Sequence, residues 1–311
     1  MSLDIDAELR KVLLAYGETT SDDVIKAEVI KNVVYKAADL LSAGLKLVPS
    51  KNFGALDVAN FFPSNFEAGS WPMKPGGSAG SQKINFTEWN STLYKSEVKY
   101  VIVDEAKLRE LANYQSEFSA KKAAEVLAID KDHCIIDEIY THAHASNLVT
   151  VAPGNEWNSG AATADPEGDI VTAWGNIYAN SNATDEEMKN CRLLVPALAA
   201  PALMKLVLIG NVQQTISDYL NKTFKIEVVP TRYYSAAGTT GIQDDAIFEL
   251  FSENTGIHEV LETNKIPLVE NSRLKGVGEE YIIRQFFNTK VMPESATVTT
   301  NLRIARIANV I

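Results

Sequence analysis

The chain is poor in the residues that most directly announce a chemistry. Only two cysteines occur among 311 residues, Cys134 and Cys191. Neither stands in a C-x-x-C or other ligand-spaced pair, so neither a disulfide framework nor a zinc ribbon is encoded. No run of 18 or more apolar residues is present, which excludes a helix long enough to span a bilayer. The first residues, MSLDIDAELRK, lack the basic and then apolar regions of a secretory signal, and synthesis in the cytoplasm is expected. No G-x-x-x-x-G-K-[ST] occurs, and Gly276-Val277-Gly278 lacks the third glycine and following helix of a dinucleotide site. Positive charge is also in deficit: 29 Lys and Arg stand against 40 Asp and Glu, a formal charge of −11. A surface that grips phosphates needs clustered Lys and Arg, so tight nucleic-acid binding is not expected.

The patterns that resemble catalytic motifs fail on context. Residues 76–80, Gly-Gly-Ser-Ala-Gly, match the letters G-x-S-x-G, but a nucleophile elbow needs a strand before it and a helix after it. Here Pro72 and Pro75 precede and a strand pattern follows, so a flexible tip is the better reading. His133, Cys134, His142 and His144 cluster in sequence, and His133 and Asp137 are one helical turn apart. His142 and His144 lack i,i+4 spacing and His133 falls on an apolar stripe, which reads as a core histidine and a polar helix end rather than a metal site. The carboxylates are scattered and give no acid/base pair. No catalytic, cofactor or metal residue is nominated, and a non-enzymatic role is expected. No repeat at solenoid periods is present.

What the sequence does contain is a long aromatic hairpin, residues 53–103, running into a long helix. Residues 54–66 carry Leu56, Val58, Phe61 and Phe62 among polar residues, and residues 83–103 carry Ile84/Phe86 and then Val98/Tyr100/Ile102 at period two; both read as strands. Between them, residues 65–82 hold Pro72, Pro75, Gly69, Gly76, Gly77 and Gly80, which form a flexible tip. At about 3.3 Å per residue a 20-residue arm reaches about 65 Å, against a radius of gyration near ~19 Å for a compact chain of this length. A two-stranded ribbon is marginal alone, and this one bears Phe61, Phe62, Phe66, Trp71, Phe86 and Trp89. Either the ribbon folds back on its own core or a neighbouring subunit covers it.

The remaining elements follow in order. Residues 4–16 have helical spacing and Gly17 is placed to stop them. A second helix begins near Ser21, with Ile30, Val33, Val34, Ala37 and Leu41 as its apolar stripe and Gly44 beyond its end. Asp104 caps a helix carrying Leu108 and Leu111, a weak break falls at 113–116, and from Glu117 one face reads Val126, Ile129, His133, Ile136 and Tyr140 to about residue 144. Residues 147–164 form a loop and a boundary. Asp165-Pro166-Glu167 then starts a helix whose buried face is Ile170, Trp174, Ile177 and Tyr178. Residues 193–195, 224–229 and 246–251 read as strands, 197–209 as a helix interrupted or started by Pro201, and 212–220 as another helix, together a second α/β unit. Residues 278–292 form one long strand and 298–311 a terminal one.

This order of parts resembles the major capsid proteins of tailed double-stranded DNA viruses, the HK97-type shell fold, over nearly the whole chain. CRLLVPALAAPALMKL, residues 191–206, is similar to the strand, proline and helix run of that family's axial (A) domain, and GEEYIIRQFFNTKVMPES, residues 278–295, to the long strand of its peripheral (P) domain. The resemblance implies an α+β fold in five parts: an N-terminal helical arm (1–52), an extended E-loop hairpin (53–103), a spine helix and P domain (104–164), an A domain (165–276), and a return strand of the P domain with a C-terminal strand (277–311). Residues 304–311 extend past the resemblance, which leaves the domain of the last strand open. It further implies self-assembly into hexamers and pentamers of an icosahedral capsid around double-stranded DNA held without tight or sequence-specific binding. Scaffold, portal and protease proteins are the implied partners, no membrane is involved, and the virion capsid is assembled in the host cytoplasm. Encapsulin nanocompartments share the fold, so a shell around protein cargo is the alternative. The residues assigned to contact between subunits are Phe61, Phe62, Phe66, Trp71, Lys74, Phe86 and Trp89. A covalent link from Lys74 or Lys83 to Asn288 is a further implication of the resemblance.

Overall fold

Alanine determines how closely the N-terminal part of the chain packs. In the computed structural model, which describes residues 23–63, 86–103, 112–209, 212–231, 244–266, 270–274, 277–293 and 298–311, helix α1 (Asp23–Leu41) lies along a 30-residue helix α2 (Ala112–Thr141). Ala37 and Ala38 of α1 and Ala120, Ala123, Ala124 and Ala128 of α2 are buried with Val34, Tyr35 and Leu127. Where α1 ends, Ser42 Oγ donates to Asp132 Oδ1 at 2.5 Å and the Gly44 N–H to the same oxygen at 2.8 Å. A Cβ on Gly44 would stand 3.1 Å from that oxygen and from Ile135, so glycine is what lets the turn close on α2.

Two five-stranded sheets hold most of the strand residues among those described. Between α1 and α2 run β1 (Ser50–Phe53), β2 (Asp57–Pro63), β3 (Phe86–Thr92) and β4 (Tyr94–Val103). After α2 come β5 (Val149–Thr150), α3 (Pro166–Asn180), β6 (Cys191–Pro196), a single-turn α4 (Ala200–Leu203), β7 (Leu206–Ile209), β8 (Val212–Thr215), α5 (Ile216–Phe224) and β9 (Ile226–Thr231). The chain closes with β10 (Ala246–Leu250), β11 (Gly256–Leu261), β12 (Glu270–Leu274), β13 (Gly278–Val291) and β14 (Ile304–Ala308). The first sheet has the order β1-β11-β13-β12, with β4 on the other side of β13. The 14-residue β13 organises it: one side pairs with β4 over 278–287, and the other pairs with β12 and then β11. The second sheet has the order β5-β14-β10-β6-β9.

All five residues of β10, Ala-Ile-Phe-Glu-Leu, are buried, as a strand covered on both faces requires. Ala246, Phe248 and Leu250 join a core with Ile170, Ala173 and Ile177 of α3. Ile247 points the other way, into a core with Ile135, Ile136 and Ile139 of α2. The second sheet is thereby held between α3 and the C-terminal half of α2.

Several sequence expectations hold. Asp165 Oδ1 accepts from the Gly168 N–H at 3.0 Å, Pro166 sits in the first turn, and Ile170 and Ile177 are buried. Others need correction. Leu41 is exposed, and the outward side of α2 carries Val126 and Ile129, because the alanines rather than the larger residues make the close contact. His133 is exposed beside them and not in a core. The helix runs unbroken through 113–116. Tyr178 is exposed. Residues 147–164 are pinned by Trp157, which is buried, donates its backbone N–H to Val310 O at 3.0 Å, and donates Nε1–H to Asp169 at 2.9 Å.

Residues 197–209 do not make one helix: Pro201 helps start a single turn, and the branched run Leu206–Ile209 instead pairs with Val212–Thr215. The following helix starts at Ile216, with Thr215 Oγ1 accepting from the Asp218 N–H. Strand pairing also crosses the boundary drawn at 276, since β11 and β12 belong to the first sheet and the terminal β14 to the second. Residues 4–16, 65–82 and 104–111 lie outside the described residues.

Candidate assembly surface

The hairpin is present as two separate pairings. β2 and β3 form a two-stranded ribbon of their own, in register from Asp57↔Thr92 to Pro63↔Phe86, and seven paired residues extend it about 23 Å. β4, which sequence patterning joined to β3, pairs instead with β13. The switch falls at Leu93, which is buried with Val58 in the α1–α2 core and donates its N–H to Leu56 O at 2.8 Å. The root is tied further by Thr92 Oγ1–H donating to Asp57 Oδ1 at 3.1 Å, Asn288 Nδ2–H donating to Thr92 O at 3.1 Å, and Ser91 Oγ–H donating to the fully buried Glu259.

The ribbon brings four of the seven nominated contact residues together. Phe61 and Phe62 stand on β2 opposite Glu88 and Thr87, and Phe86 and Trp89 stand on β3 opposite Pro63 and Asn60. Phe66, Trp71 and Lys74 lie outside the described residues, as do Lys83 and the 76–80 glycine segment. Asn288, the other end of the implied cross-link, is on β13.

Among the described residues, large apolar side chains are exposed at several places. Tyr94, at the start of β4, is 67% exposed; Leu198, Met204 and Leu206 are 70%, 55% and 64% exposed around α4 and β7; and Phe118, Val126 and Ile129 project from α2. Sequence reasoning placed Leu198, Met204 and Leu206 in one helix interrupted or started by Pro201 and did not single them out. Pro201 in fact opens a single turn, and Leu206 belongs to the strand that follows.

His133, His142 and His144 each have a different partner. His133 Nδ1 is 2.8 Å from Asp137, His142 Nδ1 is 2.8 Å from Glu138 O, and His144 Nδ1 accepts from the Ser146 N–H at 3.1 Å. Cys134 Sγ approaches Thr289 Oγ1 at 3.4 Å, and burial pushes its thiol above the usual range. Among the described residues no group of three or more His, Cys, Asp or Glu is placed to hold a metal ion. No described helix is long and apolar enough to cross a membrane.

The buried polar groups that sequence reasoning missed are structural. His258 is fully buried with Nδ1 3.0 Å from Thr289 Oγ1, and burial lowers its pKa to about 3, so it is neutral. Lys131, almost fully buried, reaches out to the exposed Asp39 on α1. Glu249 is fully buried and neither carboxylate oxygen has a hydrogen-bond partner, so burial drives its pKa well up against the partial opposition of Arg192. Its surroundings in an apolar strand gave the only sequence signal.

No family sequence model and no curated protein sequence matches the chain. Solved structures do. The virus-like particle from Pyrococcus furiosus superposes with a TM-score of 0.60 at 11% identity, covering 98% of this chain and 100% of that one. The capsid of Myoviridae phage XM1 matches with a TM-score of 0.54 at 13% identity over 88% of this chain and 92% of that one. An encapsulin complex from Synechococcus elongatus matches with a TM-score of 0.52 at 8% identity over 86% of each chain. The likeness to phage capsids and encapsulin shells identifies the fold as the HK97-type shell fold.

Proposed function

We propose that this HK97-type chain is the subunit of a closed protein shell, a major capsid protein whose hexamers and pentamers enclose double-stranded DNA. The observation that carries the reading is end-to-end likeness: 98% of this chain aligns with all of a virus-like-particle subunit. In this reading the β2–β3 ribbon and residues 64–85 are the E-loop, α2 is the spine helix of the P domain, the first sheet with β13 belongs to that domain, and residues 165–276 supply most of the A domain. Phe61, Phe62, Phe66, Trp71, Lys74, Phe86 and Trp89 contact the neighbouring subunit.

The work of such a protein is association rather than turnover. Contacts of order ~1,600 Å² each, repeated around several neighbours, give a stable shell from individually modest interfaces because each added contact is effectively intramolecular. The −11 formal charge suits a wall that does not adhere to the packed polyanion. Scaffold, portal and protease proteins are the partners this reading calls for, and the host cytoplasm is the place of assembly. An encapsulin-type compartment is the second reading, favoured by the likeness to the Synechococcus elongatus shell.

Deleting residues 65–82 tests the role of the ribbon. The expected product is a soluble, folded subunit that no longer closes shells, because α2 and the second sheet carry their own cores. Normal shells, or a subunit that fails to fold, would overturn the proposal. The contents of particles purified from their native source separate the two readings: double-stranded DNA for the capsid, a protein cargo for the compartment.

A further inference from the structure

The side of the second sheet that faces α2 carries charge on three neighbouring strands. Glu249 of β10 stands opposite Arg192 of β6, and Arg192 stands beside Glu227 of β9. Residues directly opposite on antiparallel strands share a face, with Cβ atoms about 4.5–5.5 Å apart, so the Glu249 carboxylate adjoins the Arg192 side chain. The two acids that flank Arg192 differ in their surroundings. Glu249 has no solvent exposure and neither of its carboxylate oxygens has a hydrogen-bond partner, whereas the Glu227 side chain is 49% exposed.

Arg192 nevertheless turns away from the buried acid. Its Nη1 lies 3.1 Å from Glu227 Oε2, its Nε–H donates to Lys46 O at 3.3 Å, and its guanidinium stands 5.1 Å over the Phe251 ring. Lys46 closes the single 3-10 turn Gly44–Lys46 that follows α1, and Asp132 binds the Ala43 and Gly44 N–H groups of the same turn to α2. Arg192 therefore ties the second sheet to the turn between α1 and β1. An ionised Glu249 would attract Arg192 more strongly than Glu227 does, because a charge pair away from water is screened less. The outward position of Arg192 is the arrangement expected while Glu249 is protonated.

The other charged groups near this face are engaged elsewhere. On β14, Arg306 Nε lies 3.2 Å from Asp245 and Arg303 Nε 3.6 Å from Glu187. On α2, Asp132 is bonded to Ser42 and Gly44, Lys131 to Asp39, and His142 Nδ1 lies 2.8 Å from Glu138 O. Lys46 is exposed. The α2 residues packed on the face, Ile135, Ile136 and Ile139, are apolar, as is Ile304 opposite Glu249 on β14. Burial raises the pKa of Glu249 well above the ordinary carboxylate value, and Arg192 is the charge that opposes the rise.

We propose that Arg192 and Glu249 form a proton-operated latch between the second sheet and the turn that follows α1. With Glu249 protonated, Arg192 points outward and holds Lys46 O and Glu227, as in this structure. Loss of the proton to solvent draws Arg192 inward to the Glu249 carboxylate, breaks its hydrogen bond to Lys46 O and loosens the turn. The guanidinium keeps its charge in both positions, so the one ionisation that works the latch is that of Glu249.

Hydrogen exchange tests the latch in the full-length protein held in one assembly state. Exchange of the amides of residues 44–47, corrected for the intrinsic pH dependence of the chemistry, should rise about tenfold between mildly acid and mildly alkaline pH. Glu249→Gln, which cannot ionise, should keep the slow rate throughout. Glu227→Gln removes only the outward, exposed partner of Arg192 and should move the midpoint of the step down by about half a pH unit or more, because Arg192 is then freer to stabilise the ionised Glu249. This second variant keeps the test decisive if Glu249→Gln does not fold. A step of equal size in Glu249→Gln, a parent protein with no step, or a midpoint that Glu227→Gln leaves in place would overturn the inference.

Discussion

Ser91 at the foot of the β2–β3 ribbon donates its hydroxyl hydrogen to Glu259, a carboxylate with no solvent exposure on β11. The contact fastens the foot of the ribbon to the first sheet. Removing a donor from a buried acceptor costs about 1–3 kcal/mol, so Ser91→Ala should destabilise the subunit by that amount in urea melts. An unchanged midpoint would mean that the ribbon root is held by its other contacts, those of Thr92 and the Leu93 N–H among them.

Two glycines near the same region should answer differently to one added methyl. Gly44→Ala puts a Cβ 3.1 Å from Asp132 and Ile135, whereas the Cβ of Gly54→Ala meets nothing within 4 Å. The first substitution should cost about 1–3 kcal/mol through overpacking, and the second should stay within about 0.5 kcal/mol of the parent. Matched denaturant curves check the pair, and equal effects would contradict the close approach of the turn to α2.

Glu249 gives a pH signature. Its pKa is raised in the folded protein by burial, only partly opposed by Arg192, so the folded state binds this proton more tightly than the unfolded chain does. Its contribution is therefore most favourable below the unfolded value of about 4.3 and is lost as pH rises through the folded value. Glu249→Met removes an acceptor pair that has no partner and should stabilise the protein at neutral pH by about 1–3 kcal/mol, with the gain shrinking toward acid pH. Thermal melts of both proteins across the acid-to-neutral range would show a constant difference if the reading of Glu249 were wrong.

Trp157 holds an otherwise irregular segment to the second core. Trp157→Ala should cost about 3–5 kcal/mol. Trp157→Phe keeps most of the packing but removes the Nε1–H donor to Asp169, and it should cost a smaller amount of about 1–3 kcal/mol. Comparable losses for the two variants would assign the effect to the lost Nε1–H donor, and a Trp157→Phe variant as stable as the parent would assign it to packing alone.

The sequence made the punctuated elements legible and the crowded ones not. Asp165-Pro166 announced α3 because a cap and a first-turn proline are local signals, and the period-two aromatics announced the ribbon. The split of residues 83–103 at Leu93 was hidden, because both halves alternate alike and only β13, more than 180 residues later, claims the second half. The buried side of α2 was misread because apolar periodicity weighs Val126 and Ile129 above Ala124 and Ala128, while close helix packing selects the smaller side chains. Strands β11 and β12 were missed, since His258 and Glu259 in the first and Glu270 and Arg273 in the second break an apolar pattern that their neighbours tolerate. Of the nominated contact residues, Phe61, Phe62, Phe86 and Trp89 lie on the paired strands of the ribbon, and they were nominated as its aromatic residues.

The shell itself is tested most directly by the mass of the purified full-length protein. Light scattering after size exclusion, with negative-stain images of the same fractions, should find closed spherical particles of megadalton mass that survive dilution, as multivalent association requires. A stable monomer or dimer of the 34.1 kDa chain at every concentration, with no closed particles, would contradict the account.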